Sequence, residues 1–162
     1  MRHDQRGFSL IELLIVVAII LIIAAIAIPN FLRSRVAANQ ASALESMRII
    51  STAEVGYTST YGTGFSTTLA ALGPPDAGQP ATSTAAGLLD SVLAGGYKSG
   101  YSFFYTPLMY NAATNTWNGY TSFGNPSTFG QTGGMYYYSD QTFVIRANST
   151  TTAGYTDSAV GD

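Results

Sequence analysis

Phe8-Ser9-Leu10-Ile11-Glu12 opens a stretch that continues as Leu13-Leu14-Ile15-Val16-Val17-Ala18-Ile19-Ile20-Leu21-Ile22-Ile23-Ala24-Ala25-Ile26-Ala27-Ile28 and then meets Pro29. Leu13 to Ile28 is a run of sixteen apolar residues, and between Arg6 and Arg33 the only charge is Glu12. A bilayer core of about 30 Å needs roughly 20 helical residues, and Phe8 to Leu32 supplies that length. Leu, Ile, Val and Ala fill every side of such a helix, so it has no polar face to turn toward water. The segment belongs in lipid or in an equally dry protein bundle.

Three readings of this stretch compete. The plainest is a transmembrane anchor. The second is a secretory signal peptide, with Arg2 and Arg6 as its basic start and Ala25-Ile26-Ala27 as its small-residue cutting pattern. Its apolar stretch is longer than the roughly 7–15 residues usual for such peptides. The third must explain Glu12, because a carboxylate at the centre of a membrane helix costs roughly 2.5–3.5 kcal/mol on insertion scales. A position near the membrane edge, with the carboxylate snorkelling to the headgroups, lowers that cost without removing it. An intramembrane carboxylate calls for a partner. No Lys or Arg lies inside the run, and Arg6 precedes Glu12 by six residues, which is not a helical i+3 or i+4 spacing. A cut between Gly7 and Phe8 would create the missing cation, a free amine one helical turn before Glu12.

Arg6-Gly7-Phe8-Ser9-Leu10-Ile11-Glu12 with the run to Ile20, and then Ala24-Ala25-Ile26-Ala27-Ile28-Pro29-Asn30-Phe31, resembles the N-terminus of type IV prepilins and of the related pseudopilins of type II secretion. The resemblance is close over residues 6–35, weaker over the following helix and diffuse beyond. It implies that residues 1–7 are a leader and that Gly7 is its last residue, cut by a prepilin peptidase that also methylates the new Phe8 amine. It implies that Glu12 is needed for methylation and assembly, pairing with the Phe8 amine of a neighbouring subunit, and that Pro29 kinks or loosens the helix. Leu21 stands where many pilins carry Gly, so melting between Leu21 and Pro29 is less well supported here. Arg2 and Arg6 on one side face Arg33, Arg35 and Arg48 on the other, so the resemblance and not charge counting puts the N-terminus in the cytoplasm.

After Asn30 the helical pattern continues. Ala43, Met47, Ile50, Ala53 and Tyr57 recur at spacings of four, three, three and four, an amphipathic stripe. Arg35, Asn39, Ser42, Glu45 and Ser46 are expected to lie away from it, with Glu45 and Arg48 as an i,i+3 pair. Gly62 and Gly64 are stop signals. Residues 73–87 read as loop, and Leu88, Leu89, Val92 and Leu93 suit a short helix closed by Gly95-Gly96; the role of this 73–96 insert is not legible. From Tyr97 the chain reads as antiparallel strands. They are Tyr101 to Tyr110, with Tyr101, Phe103 and Tyr105 on one face, Thr116 to Phe123, and a hairpin of Met135 to Ser139 and Thr142 to Ala147 around Asp140-Gln141. Pro107 points to a sheet edge or strand end. The small, polar tail after Asn148 is expected to fray.

The 162 residues carry 7 Lys plus Arg against 9 Asp plus Glu, and charged residues are 10% of the chain, against roughly 25% in an ordinary domain. There is no Cys, which excludes thiol catalysis, thiolate metal sites and disulfides, and the only His is His3. Without residues 1–7 the chain would hold five basic and eight acidic side chains, a net −3. The carboxylates of Asp76, Asp90, Asp140 and Asp157 are scattered without calcium-loop spacing, and Gly130 to Gly134 lacks the Lys-Ser/Thr end of a phosphate loop. Lys98 and Arg146 are the only basic residues after Arg48, so there is no strong nucleic-acid footprint. Asn148-Ser149-Thr150 fits a glycosylation sequon.

The expected fold is α+β, a long N-terminal hydrophobic helix packed on a C-terminal antiparallel sheet of 3–4 strands. Its parts are the leader 1–7, the helix 8–57 with 8–32 as membrane and filament segment, and the head 58–162. The resemblance implies a structural subunit of a type IV pilus, not an enzyme, with no cofactor or metal, in service of adhesion, motility or DNA uptake. The alternative is a pseudopilin. Implied partners are further pilin subunits, the peptidase/methylase, the inner-membrane assembly machinery and the membrane itself. The implied locations are the inner membrane for the single-pass precursor and the extracellular filament once assembled.

Overall fold

The computed structural model describes residues 8–161. The chain divides into two compact units, Met1–Arg35 and Val36–Asp162. In the first, every described residue from Leu10 onward belongs to helix α1 (Leu10–Tyr61). All large apolar side chains from Phe8 to Leu32 are exposed, the least so being Val17 at 46%. Among the described residues, α1 is the helix long and apolar enough to cross a membrane. Pro29 sits inside it and the helical conformation runs through. Proline has no N–H, so the Ala25 carbonyl loses its usual donor. Beside that gap the Asn30 side-chain amide donates to the Ile26 carbonyl at 3.0 Å, and Ser34 Oγ donates to the Asn30 carbonyl at 3.0 Å.

The second unit is α+β. Residues 36–61 of α1 lie against a five-stranded antiparallel sheet in sequential order, β1 (Tyr97–Lys98), β2 (Tyr101–Asn111), β3 (Thr116–Pro126), β4 (Tyr136–Asp140) and β5 (Arg146–Asn148). The predicted stripe is the buried face: Ala43, Met47 and Ile50 are wholly inaccessible, and Ala53 and Tyr57 nearly so. Tyr101, Phe103 and Tyr105 share the facing side of β2, as alternation requires. The buried face of α1 is wider than the apolar stripe, because Ser46, Ser51 and Glu54 are buried too. Ser46, expected off the stripe, donates to the Ser42 carbonyl, and Ser51 to the Met47 carbonyl. A short hydroxyl satisfied by its own helix can be buried without an orphaned donor.

The helix ends at Tyr61, where Gly62 takes φ +65° and its N–H closes on the Thr58 carbonyl. Gly64 then lies so close to β3 that a Cβ there would sit 2.1 Å from the Trp117 carbonyl oxygen. A 3-10 turn, Leu69–Leu72, precedes the insert, which holds a four-residue helix, α2 (Ser91–Ala94). Asp90 caps α2 by accepting the Val92 and Leu93 N–H groups at 3.0 Å, so this helix starts later than the Leu88-Leu89 pattern predicts. Pro107 falls on a stretch of β2 beyond its two-residue pairing with β1, where that side of the strand is an edge.

The sheet has five strands, one more than the upper expectation of four, and two further expectations are corrected. The β4–β5 connection is not a tight turn at Asp140-Gln141, and β5 starts at Arg146, not Thr142. Asp140 Oδ1 accepts both the N–H and the hydroxyl of Thr142, and Phe143 takes φ +61°, so residues 141–145 form a wider loop. Instead of fraying, the described part of the tail packs on the head. Ala153 is buried, the Val160 N–H donates to the Ile145 carbonyl at 2.8 Å, and Arg146 pairs with Ala159.

Candidate assembly site

Gly7, the expected last leader residue, lies outside the described residues. Phe8 is described and strongly exposed. Ser9 precedes the first helical residue, and its N–H donates to Glu12 Oε2 at 2.9 Å. The Leu13 N–H donates to the Ser9 carbonyl at 3.3 Å. Ser9 is therefore the N-cap and Glu12 the third helical residue, reaching back over the orphaned donor as in one half of a capping box. Ser9-Leu10-Ile11-Glu12 carries that pattern in plain view, a local pairing that the search for a cation beside Glu12 does not reveal. A negative charge in the first turn also meets the positive end of the helix dipole, a gain of roughly 0.3–1 kcal/mol at exposed sites. Glu12 Oε1 has no hydrogen-bond donor among the described residues, so half of the carboxylate remains open to a second partner. Pro29 lies seventeen positions further along the same helix, bracketed by the Asn30 and Ser34 side-chain bonds.

The second unit has its own buried carboxylate. Glu54 is wholly inaccessible and accepts the Ser66 N–H at 3.0 Å and the Ser66 hydroxyl at 2.5 Å. Burial pushes the Glu54 carboxyl above the ordinary carboxylate range, and the bonds from Ser66 only partly oppose this. Tyr105 completes the set by donating its hydroxyl to the Ser66 carbonyl at 3.1 Å, and burial raises its pKa as well. Ser66 is sealed from solvent, so this serine–carboxylate pair cannot meet a substrate; it pins the loop after α1 to the helix.

Three of the scattered carboxylates, Asp90, Asp140 and Asp157, have separate structural tasks. Asp90 caps α2 and accepts Lys98 Nζ at 2.9 Å, and the Leu93 N–H and Lys98 lower its pKa. Burial raises Asp140, but the Thr142 and Tyr138 donors outweigh it and leave the carboxyl below its usual range. Asp157 holds the tail, accepting Asn148 Nδ2 at 2.9 Å and the Gly154 N–H at 2.8 Å. The sequon nitrogen of Asn148 is thus already engaged, while Asn148 Oδ1 accepts the N–H groups of Thr150 and Thr151.

Residues 2–28 match the family model described as the prokaryotic N-terminal methylation motif. Two type IV pilins are similar to part of this chain. Over 53 residues, a third of this chain, it is 50% identical to the type IV major pilin protein PilA of Myxococcus xanthus. Over 37 residues, 23% of this chain, it is 65% identical to the type IV wide pilus major component PilA4 of Thermus thermophilus. These matches span 24% and 28% of the two relatives' lengths. No solved structure gives a significant match. The match to the methylation motif covers the start of α1 and most of its apolar run, and the head is described by its own geometry.

Proposed function

We propose that this chain is a structural subunit of a type IV pilus. The observation that carries the reading is a helix whose N-terminal part is apolar and exposed on every side and whose first turn holds a half-satisfied carboxylate, within a match to the N-terminal methylation motif. On this reading the precursor spans the inner membrane once. A prepilin peptidase cuts between Gly7 and Phe8 on the cytoplasmic side and methylates the Phe8 amine. Glu12 keeps its bond to the Ser9 N–H and offers Oε1 to the Phe8 amine of a neighbouring subunit. Docking in the correct axial register relieves the cost of a charge in lipid, whereas a slipped register leaves it unpaired. Pro29, by withholding a donor from the Ala25 carbonyl, is where the helix loosens when packed. Contacts of this head-to-tail kind do not close on themselves and build an open helical polymer. Adhesion and motility suit the sparsely charged, aromatic head better than DNA uptake does, since Lys98 and Arg146 are the only basic residues after Arg48.

The test is Glu12→Leu. The expected outcome is normal membrane insertion with filaments lost or sharply reduced, scored in sheared surface fractions. Normal filaments from this variant would refute the register role of Glu12. Absence of the wild-type chain from surface fibres, with protein secretion failing on its deletion, would make it a pseudopilin instead.

A further inference from the structure

A cleft of about 190 Å³ opens in the second unit where α1, the loop after it, the 73–87 loop and the start of β3 meet. Its aromatic walls include Phe65 and Trp117, and its polar groups come from Thr63, Thr67, Ser83 and Asn115. Each wall is fixed from behind. The Phe65 N–H donates to the Trp117 carbonyl at 2.8 Å and the Trp117 N–H to the Thr63 carbonyl at 3.3 Å, an approach that only Gly64 permits. The Tyr57 hydroxyl holds the Ser83 carbonyl at 2.8 Å. Tyr110 donates its hydroxyl to Asn115 Oδ1 at 2.7 Å, which orients the amide, and the Tyr110 ring braces Trp117 at 4.8 Å between centroids.

What the walls leave unsatisfied indicates the ligand. Among the described residues, the hydroxyls of Thr63, Thr67 and Ser83 and the Asn115 Nδ2 make no intramolecular hydrogen bond. No lining residue is charged, and residues 55–75, 77–89 and 99–139, which supply all of them, contain no Asp, Glu, Lys, Arg or His. A charged ligand would lose hydration there and gain no counter-ion. A purely apolar ligand would strand the hydroxyls and the amide. A saccharide ring answers both demands, with a C–H face for the negative face of an indole and hydroxyls for neutral donors and acceptors. The volume falls below the roughly 300–1,000 Å³ of drug-sized pockets, which suits one ring.

We propose that this cleft binds one residue of a neutral carbohydrate, its C–H face on Trp117 and its hydroxyls on Thr67, Ser83 and the Asn115 amide. The 73–87 loop, whose purpose the sequence does not reveal, supplies the Ser83 side of the site. The site is complete within one chain and does not depend on polymerisation.

Trp117 is the only tryptophan, so its emission reports on this cleft. The full-length chain, in a zwitterionic detergent without a sugar headgroup, is titrated with the methyl glycosides of glucose, galactose, mannose and N-acetylglucosamine, and with methyl glucuronide as charged comparison. The expected result is a saturable change with at least one neutral glycoside and none with the glucuronide. Thr67→Ala with Ser83→Ala removes two hydroxyls that hold nothing among the described residues. That double variant should unfold at the same denaturant midpoint and bind roughly tenfold more weakly or worse, the loss of two ordinary hydrogen bonds. The proposal is overturned by no saturable change with any neutral glycoside, by unaltered binding in the double variant, or by glucuronide binding as well as its neutral counterpart.

Discussion

Gly64→Ala tests whether the loop after α1 is locked to β3 by backbone contact. Gly64 has φ +77°, and a Cβ there would lie 2.1 Å from the Trp117 carbonyl oxygen and 2.9 Å from the Trp117 carbonyl carbon and amide nitrogen. These neighbours are main chain, so no rotamer change relieves the contact and the loop must withdraw. Withdrawal breaks the Phe65–Trp117 and Trp117–Thr63 hydrogen bonds, at roughly 0.5–1.5 kcal/mol each. The left-handed conformation adds roughly 1–2 kcal/mol for any residue with a Cβ. Together the loss is about 2–5 kcal/mol. Gly62→Ala is the control, since Gly62 has φ +65° with nothing within 4 Å of its added Cβ. It should lose only the conformational part, about 1–2 kcal/mol. Urea unfolding of the full-length variants, followed by Trp117 fluorescence, gives both numbers. Equal losses in the two variants would refute the claim that close approach to β3, and not φ alone, requires glycine at position 64.

Glu54 sets a pH dependence of definite sign. Its folded pKa lies above the unfolded value, so its contribution is most favourable below the unfolded pKa and falls as pH rises toward the folded one. Asp140 acts oppositely, its contribution falling as pH drops, because its folded pKa is lowered; the difference between wild type and Glu54→Gln therefore isolates Glu54. Glu54→Gln should remove the loss of stability on going from mildly acidic to neutral pH, and an unchanged pH profile by urea unfolding would contradict this account. Met47→Ala deletes a wholly buried side chain facing Gly124 on β3 and should cost roughly 2–5 kcal/mol, measured as a lower urea midpoint; a loss below about 1 kcal/mol would mean that α1 does not cover the sheet as described.

The parts of this fold legible in the sequence are those that repeat. The Ala43-to-Tyr57 stripe and the Tyr101, Phe103, Tyr105 alternation both correspond to the buried face, because periodicity of 3.6 or 2 is the local record of a single packed side. Single contacts between distant positions leave no such record. The tail reads as small and polar, yet Asp157 reaches Asn148 and Val160 reaches Ile145. Glu54 breaks the expectation that a carboxylate faces water, because its partner Ser66 comes from the loop beyond the helix end. The cleft at Trp117 draws on four segments and no motif joins them. Ser9 and Glu12 are the reverse case. Their three-residue spacing was readable, and the pairing at 2.9 Å is the local one that the spacing dictates.

The most direct test of the central claim is the intact mass of the protein recovered from its native membrane or from sheared surface material. The account predicts a chain that begins at Phe8, lacks residues 1–7 and carries one added methyl group. A mass beginning at Met1 would leave only an unusual membrane anchor. A mass beginning after Ala27 would make the chain a secreted domain without its apolar helix, and the pilus subunit reading would be wrong.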